Sequence, residues 1–208
     1  MLESVPSRPW PAFSPNTSIV YVRSLKHLLP LFGLLLWTSC ATPSESQEIS
    51  LEGWPSETIV LPPPFAPELP RGKESLLFAP GFRDRESDGF WSYAFAVWMD
   101  GPPPDAAGLE AWFESYYDGL MNAVATGDGK DIGDDPAQVQ VVATSANTFQ
   151  VSIHLLDAFG NLEPVDLRAH VTSESTERTI LRLQVSPQPE GHSIWNALAV
   201  AAASIREP

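Results

Sequence analysis

The chain has 208 residues, with 26 Asp or Glu against 12 Lys or Arg and a formal charge of −14 at pH 7. Such an acidic surface repels polyanions, which argues against nucleic acid as a partner and makes anionic lipid surfaces unwelcoming. One cysteine, Cys40, allows no disulfide within the chain, so the core must hold without one.

Residues 1–22 are proline-rich and fit no part of a targeting signal. They read either as a disordered extension or as the product of start-site choice, with translation beginning near Val20 or Val22. Residues 23–39 read as a secretory signal. Arg23, Lys26 and His27 form a basic head, Leu28 to Trp37 an apolar run, and Thr38 and Ser39 a small-residue exit. The run is about ten residues long where a bilayer span needs roughly 20, and Pro30 and Gly33 disfavour a helix interior.

The cysteine at this exit resembles the lipobox of bacterial lipoproteins, with Trp37 standing where leucine is usual and Leu36 one place earlier. By that resemblance Cys40 is lipidated and becomes the mature N-terminus. The implied location is the cell envelope, and Ala41 after the cysteine implies the periplasmic side of the outer membrane in a Gram-negative cell. Residues 1–39 hold three of the 12 basic and one of the 26 acidic residues, so their removal takes the formal charge to about −16. The membrane is then reached through acyl chains and not through surface charge.

Residues 40–73 carry seven prolines and no helical period, which predicts a semi-rigid tether. Its later part, "ETIVLPPPFAPELP", is apolar enough to lie along a domain surface. A single globular domain is expected over residues 74–208.

That domain opens with two predicted strands, "SLLFAPGF" and "FWSYAFAVWM". In the second, Trp91, Tyr93, Phe95, Val97 and Met99 alternate with mostly small residues, a period of two. "DGPPPDAAG" ends it and starts a helix with Asp105 as N-cap. Leu109, Trp112, Phe113, Tyr116, Tyr117, Leu120, Met121 and Val124 then recur at helical spacing. Glu110, Glu114 and Asp118 mark the opposite, solvated stripe. "TGDGKDIGDDP" follows; Asp128, Asp131, Asp134 and Asp135 offer oxygen ligands, but their spacing departs from a calcium-binding loop and a solvated turn is the simpler reading.

Four strands are predicted as a meander over residues 137–144, 148–157, 165–173 and 178–186, and "HSIWNALAVAAASIREP" closes the chain as a second amphipathic helix. The expected fold is α+β, a mainly antiparallel sheet of about six strands in the order ββαββββα, with both helices on one face.

The two middle strands of the meander suggest a site. Their apolar sets share a face only if paired residue numbers sum to an even value, such as 322 or 324. His154 then lies opposite Arg168 or His170, and Gln150, Ser152, Arg168, His170 and, from the last strand, Arg182 share the face away from the core. On an acidic protein this is a candidate surface for a polar or anionic ligand, and equally an ordinary wet sheet face. Two histidines without a third ligand do not make a metal site, and no cofactor is implied.

No phosphate loop, nucleophile elbow, zinc-protease or dinucleotide motif is present. The expected function is a noncatalytic binding or interaction domain, with a hydrolase-like enzyme or an envelope structural part as alternatives. "LLFAPGFRDRESDGFWSYAFAVWMDG" with the aromatic helix resembles exported bacterial proteins of uncharacterised function, over about residues 60–205. In arrangement the domain is also similar to PsbP-like domains, and that similarity implies helices covering a central antiparallel sheet on both faces.

Overall fold

The computed structural model describes residues 49–208. Seven strands are present: β1 (Ser56–Leu61), β2 (Gly72–Phe78), β3 (Tyr93–Met99), β4 (Gln138–Ser145), β5 (Thr148–Leu156), β6 (Pro164–Ser175) and β7 (Thr179–Ser186). Helix α1 (Ala106–Gly127) lies between β3 and β4, and α2 (Ile194–Ser204) follows β7. All strands join one antiparallel sheet in the order β1-β2-β3-β7-β6-β5-β4. It consists of two meanders, β1–β3 and β4–β7, closed into one sheet by the pairing of β3 with β7.

The alternation in β3 organises both layers. All seven of its residues are buried. Tyr93, Phe95, Val97 and Met99 face a large core that includes Leu109, Phe113 and Tyr117 of α1. Ala94, Ala96 and Trp98 face a smaller core with Trp195, Leu198, Ala201 and Ala202 of α2. The helices therefore lie on opposite faces, which corrects the expectation of both on one. The small side chains of β3 leave the room that α2 fills, so its second face is a core face too.

The strand count is also corrected. β1 falls within the segment expected to be a tether, and the folded unit begins before residue 74. Leu51 and Trp54 pack beside the smaller core, and Ala66 and Leu69 in the β1–β2 loop are buried. β1 escapes periodicity because it is short, at the sheet edge and mostly exposed, with only Leu61 buried.

Helix α1 starts as its sequence predicts. The Asp105 carboxylate accepts from the Gly108 N–H at 2.9 Å, satisfying one of the donors that a helix start leaves without a partner. Its acidic stripe is less idle than expected, because Glu110 accepts from the Val141 N–H and Asp118 from the Ala137 N–H. These carboxylates engage β4 and the residue before it, which blunts an edge open to pairing with another chain.

The β1–β2 loop crosses α1 so closely that a Cβ on Gly119 would lie 1.9 Å from the Phe65 carbonyl oxygen, whereas one on Gly127 would meet nothing within 4 Å. The same substitution should therefore have opposite signs at the two sites. Gly127→Ala is expected to stabilise by up to about 1 kcal/mol through helix propensity, and Gly119→Ala to destabilise by about 1–3 kcal/mol through steric overlap. Urea unfolding of both variants measures the pair; equal stabilisation would show that the loop does not rest on α1.

Candidate functional site

The predicted surface residues do share the sheet face occupied by α2. Their pairing parity is even, but the register is 320: Gln150 faces His170, Ser152 faces Arg168, and His154 faces Asp166. The expected opposition of His154 to His170 or Arg168 is thereby corrected. The cause lies in the Asp157–Glu163 connection, closed by the Asp157 N–H to the Glu163 carbonyl at 2.9 Å, with Leu162 at a φ of 63°. Asp157 is buried and its carboxylate accepts from the Gly160 N–H, so the turn closes inside the expected strand end.

Three of the six candidate side chains brace α2 and its approach. Arg182 Nη1 donates to the Ala202 and Ile205 carbonyls at 2.8 and 3.2 Å, putting a cation at the C-terminus of a helix with no basic residue in its own last turn. Arg168 Nη1 donates to the Pro187 carbonyl at 3.1 Å. The His170 ring stacks on Trp195 with centroids 4.5 Å apart, and its Nε2 lies 3.0 Å from Glu190. These contacts supply donors to carbonyls at the end of α2 and in the β7–α2 turn, and the His170 ring covers part of the buried Trp195.

The remaining three belong to an open half-face. Register aligns Gln138, His154 and Asp166 in one row across β4, β5 and β6, then Gln140, Ser152 and Arg168, then Val142, Gln150 and His170. Gln138, Gln140, Gln150 and Ser152 are exposed, and His154 Nδ1 lies 2.7 Å from Asp166. Helix α2 packs on β3 and β7 and reaches these rows at their β6 end, through the His170–Trp195 stack, leaving Gln138, Gln140, Val142, Gln150 and Ser152 exposed.

In the aspartate-rich turn, Lys130 Nζ binds the Asp128 carboxylate and the carbonyls of Ala158 and Gly160, tying the end of α1 to the β5–β6 loop. Asp131 accepts from the Gly133 N–H. Among the described residues no three His, Cys, Asp or Glu side chains are placed to share a metal ion, and no helix is long and apolar enough to cross a membrane. Cys40, the signal and the N-terminal extension lie outside the described residues.

Sequence reasoning missed a polar group in the larger core. Glu74 of β2 is fully buried between β1, β3 and α1, with Tyr116 Oη donating to its Oε1 at 3.2 Å and Oε2 without a partner among the described residues. Beside it the hydroxyls of Tyr93 and Tyr117 bond to each other. Burial pushes the Glu74 carboxyl from its ordinary 4.5 up to about 8; the Tyr116 hydrogen bond opposes the shift and Glu57 adds to it. Burial also raises all three tyrosines. Its one sequence signal is parity: Glu74 is two residues before Leu76 on a strand whose even positions face inward.

This carboxyl is protonated in the folded chain at pH values where the unfolded chain has already ionised. Its stabilising protonation is fully present below about pH 4.5 and is lost as pH rises through about 8. Over that window stability should fall by about 1.4 kcal/mol per pH unit at most. Glu74→Gln should flatten the slope and raise stability above neutrality. Urea unfolding across this range checks it; parallel wild-type and variant curves would show that Glu74 does not titrate in the core.

No family model matches the sequence, and neither a curated protein nor a solved structure is significantly similar to it, so its function is read from the geometry.

Proposed function

We propose that the chain is an exported, lipid-anchored and noncatalytic binding domain of the cell envelope. In this reading Cys40 holds it to the membrane, and the open half-face of β4, β5 and β6 receives an envelope protein or a small polar ligand. The carrying observation is the incomplete cover of that face: α2 seals β3 and β7, while the rows of Gln138, Gln140, Gln150 and Ser152 stay exposed. Strands about 4.8 Å apart set these amide and hydroxyl groups at a spacing suited to an extended, hydrogen-bonding partner.

The fold also shortens the tether. Leu51 already packs on the domain, so ten residues, 41–50, separate Cys40 from it. Fully extended they span at most about 35 Å. The partner of this reading therefore sits at or close to the same membrane.

Two measurements test the proposal. Mass analysis of the mature N-terminus should find diacylglycerol on Cys40; an unmodified cysteine or a retained residue 1 would end the anchor reading. A photo-crosslinking residue at Ser152 should capture an envelope component in intact cells, and one at Val60, exposed on β1, should not. Equal yields at both positions, or none at either, would reject the half-face as the binding surface.

A further inference from the structure

Glu74 lies under the thinnest part of the fold. In the sheet it stands between Ile59 of β1 and Val97 of β3, and Tyr116 of α1 reaches it from above. β3 is itself held between β2 and β7. Water therefore reaches the carboxyl by displacing either α1 or a strap formed by β1 and the β1–β2 loop, residues 56–71.

The two displacements differ greatly in what they expose. Seven buried side chains, among them Trp112, Phe113, Tyr117 and Met121, would leave the core with α1. Of β1 only Leu61 is buried, and the loop adds Pro63, Ala66, Leu69 and the partly buried Phe65. As a sheet edge, β1 is also held by a single ladder. The Phe78 N–H donates to the Pro55 carbonyl, and by antiparallel alternation Glu57, Ile59 and Leu61 exchange bonds with Leu76, Glu74 and Gly72. The strap is the part that yields first.

The strap also covers the carboxyl's own partner. The Phe65 ring packs edge-on against Tyr116, with centroids 5.5 Å apart, and Tyr116 donates to Glu74. Lifting the strap uncovers both, including the Glu74 oxygen that has no partner among the described residues. An ionised carboxylate gains far more from this than a neutral acid, because burial with an unpaired oxygen penalises the charge. Nothing facing Glu74 relieves that penalty. Glu57 of β1 adds to it, and Tyr93 of β3 and Tyr116 and Tyr117 of α1 are held neutral by their own burial.

We propose that Glu74 is a pH-sensitive latch beneath this strap: protonated, it lets β1 and the β1–β2 loop close against α1, and its ionisation drives them open as a unit while the rest of the sheet stays folded. Opened to water, the carboxyl returns to its ordinary 4.5, whereas closed it keeps its proton up to about 8. The open form binds fewer protons, so its population relative to the closed form rises about tenfold per pH unit between those values and levels off above the upper one.

Hydrogen exchange of the ¹⁵N-labelled full chain between about pH 5.5 and 7.5, corrected for the intrinsic rate at each pH, reads this opening. The Glu57, Ile59 and Leu61 amides should be at least about tenfold less protected than those of Phe95 and Leu183, which pair in the central strands. Their protection should fall about a hundredfold over those two pH units, and by less than about twofold in Glu74→Gln. His154, His170 and His192 lie on β5, on β6 and before α2, away from the strap, so the slope is not theirs. Strap amides as well protected as the central ones would show a single unfolding unit, and protection independent of pH would show a strap that frays without uncovering Glu74. Either result overturns the latch, as does a slope that survives Glu74→Gln. Should that variant fold poorly, the wild-type profile decides by the first two results, and none of the three bears on the half-face across the sheet.

Discussion

The pairing of β3 with β7 is the constraint on which the rest of the structure depends. Each strand belongs to a different meander, and their register, Tyr93 opposite Val185 through Met99 opposite Thr179, turns two three- and four-stranded pieces into one sheet. Because β3 is central, its two sets of side chains must each find a core. The large set does so under α1, which returns the chain to the far edge at β4. The small set admits α2 close to the backbone. A shift of one residue at this pairing would exchange the two sets and fit neither helix.

Much of this architecture was legible in sequence, and the failures have physical causes. Six of the seven strands and both helices follow from periods of two and 3.6 and lie nearly where those periods put them. The Asp105 cap was readable because capping is local. β1 was not, since an exposed edge strand needs no apolar alternation. The placement of α2 failed because the alanines of β3 look like the neutral side of a half-exposed strand, yet they are a packing surface. The register of His154 was set by the buried Asp157 in the turn, an interaction between residues that no alternation pattern encodes. As for the candidate site, its common face was legible from parity alone, while the roles of Arg168, His170 and Arg182 depended on where α2 came to rest.

Those roles follow a wider pattern in the way an acidic chain places its few cations. Lys130 ties α1 to the β5–β6 loop, Arg85 reaches Asp157 and Glu163 while lying over the Phe90 ring, and Lys73 donates to the carbonyl of Pro208. Arg182 caps α2 and Arg168 holds the turn before it. Exposed ion pairs contribute little each, but carbonyl groups in turns and at helix ends need donors, and these side chains supply them. A cluster of basic residues on a face therefore indicates a nearby helix end or turn as readily as a ligand.

Glu74 shows the converse, an acid in a place that suits none. Its position is not a free choice of β2: Gly72, two residues before it, has Trp98 backbone within 2.0 Å of where a Cβ would lie, and Leu76, two residues after it, is buried. Both neighbours pin the strand's parity, so Glu74 must point inward whatever its polarity. Tyr116 meets it with a hydroxyl, and the aromatic rings of Phe65 and Trp112 pack against Tyr116 and close off water. Protonation is then the remaining route to a tolerable burial, which removes the charge and leaves only one oxygen unpaired. The core thus accommodates the carboxyl by changing its ionisation, where it could not change its direction.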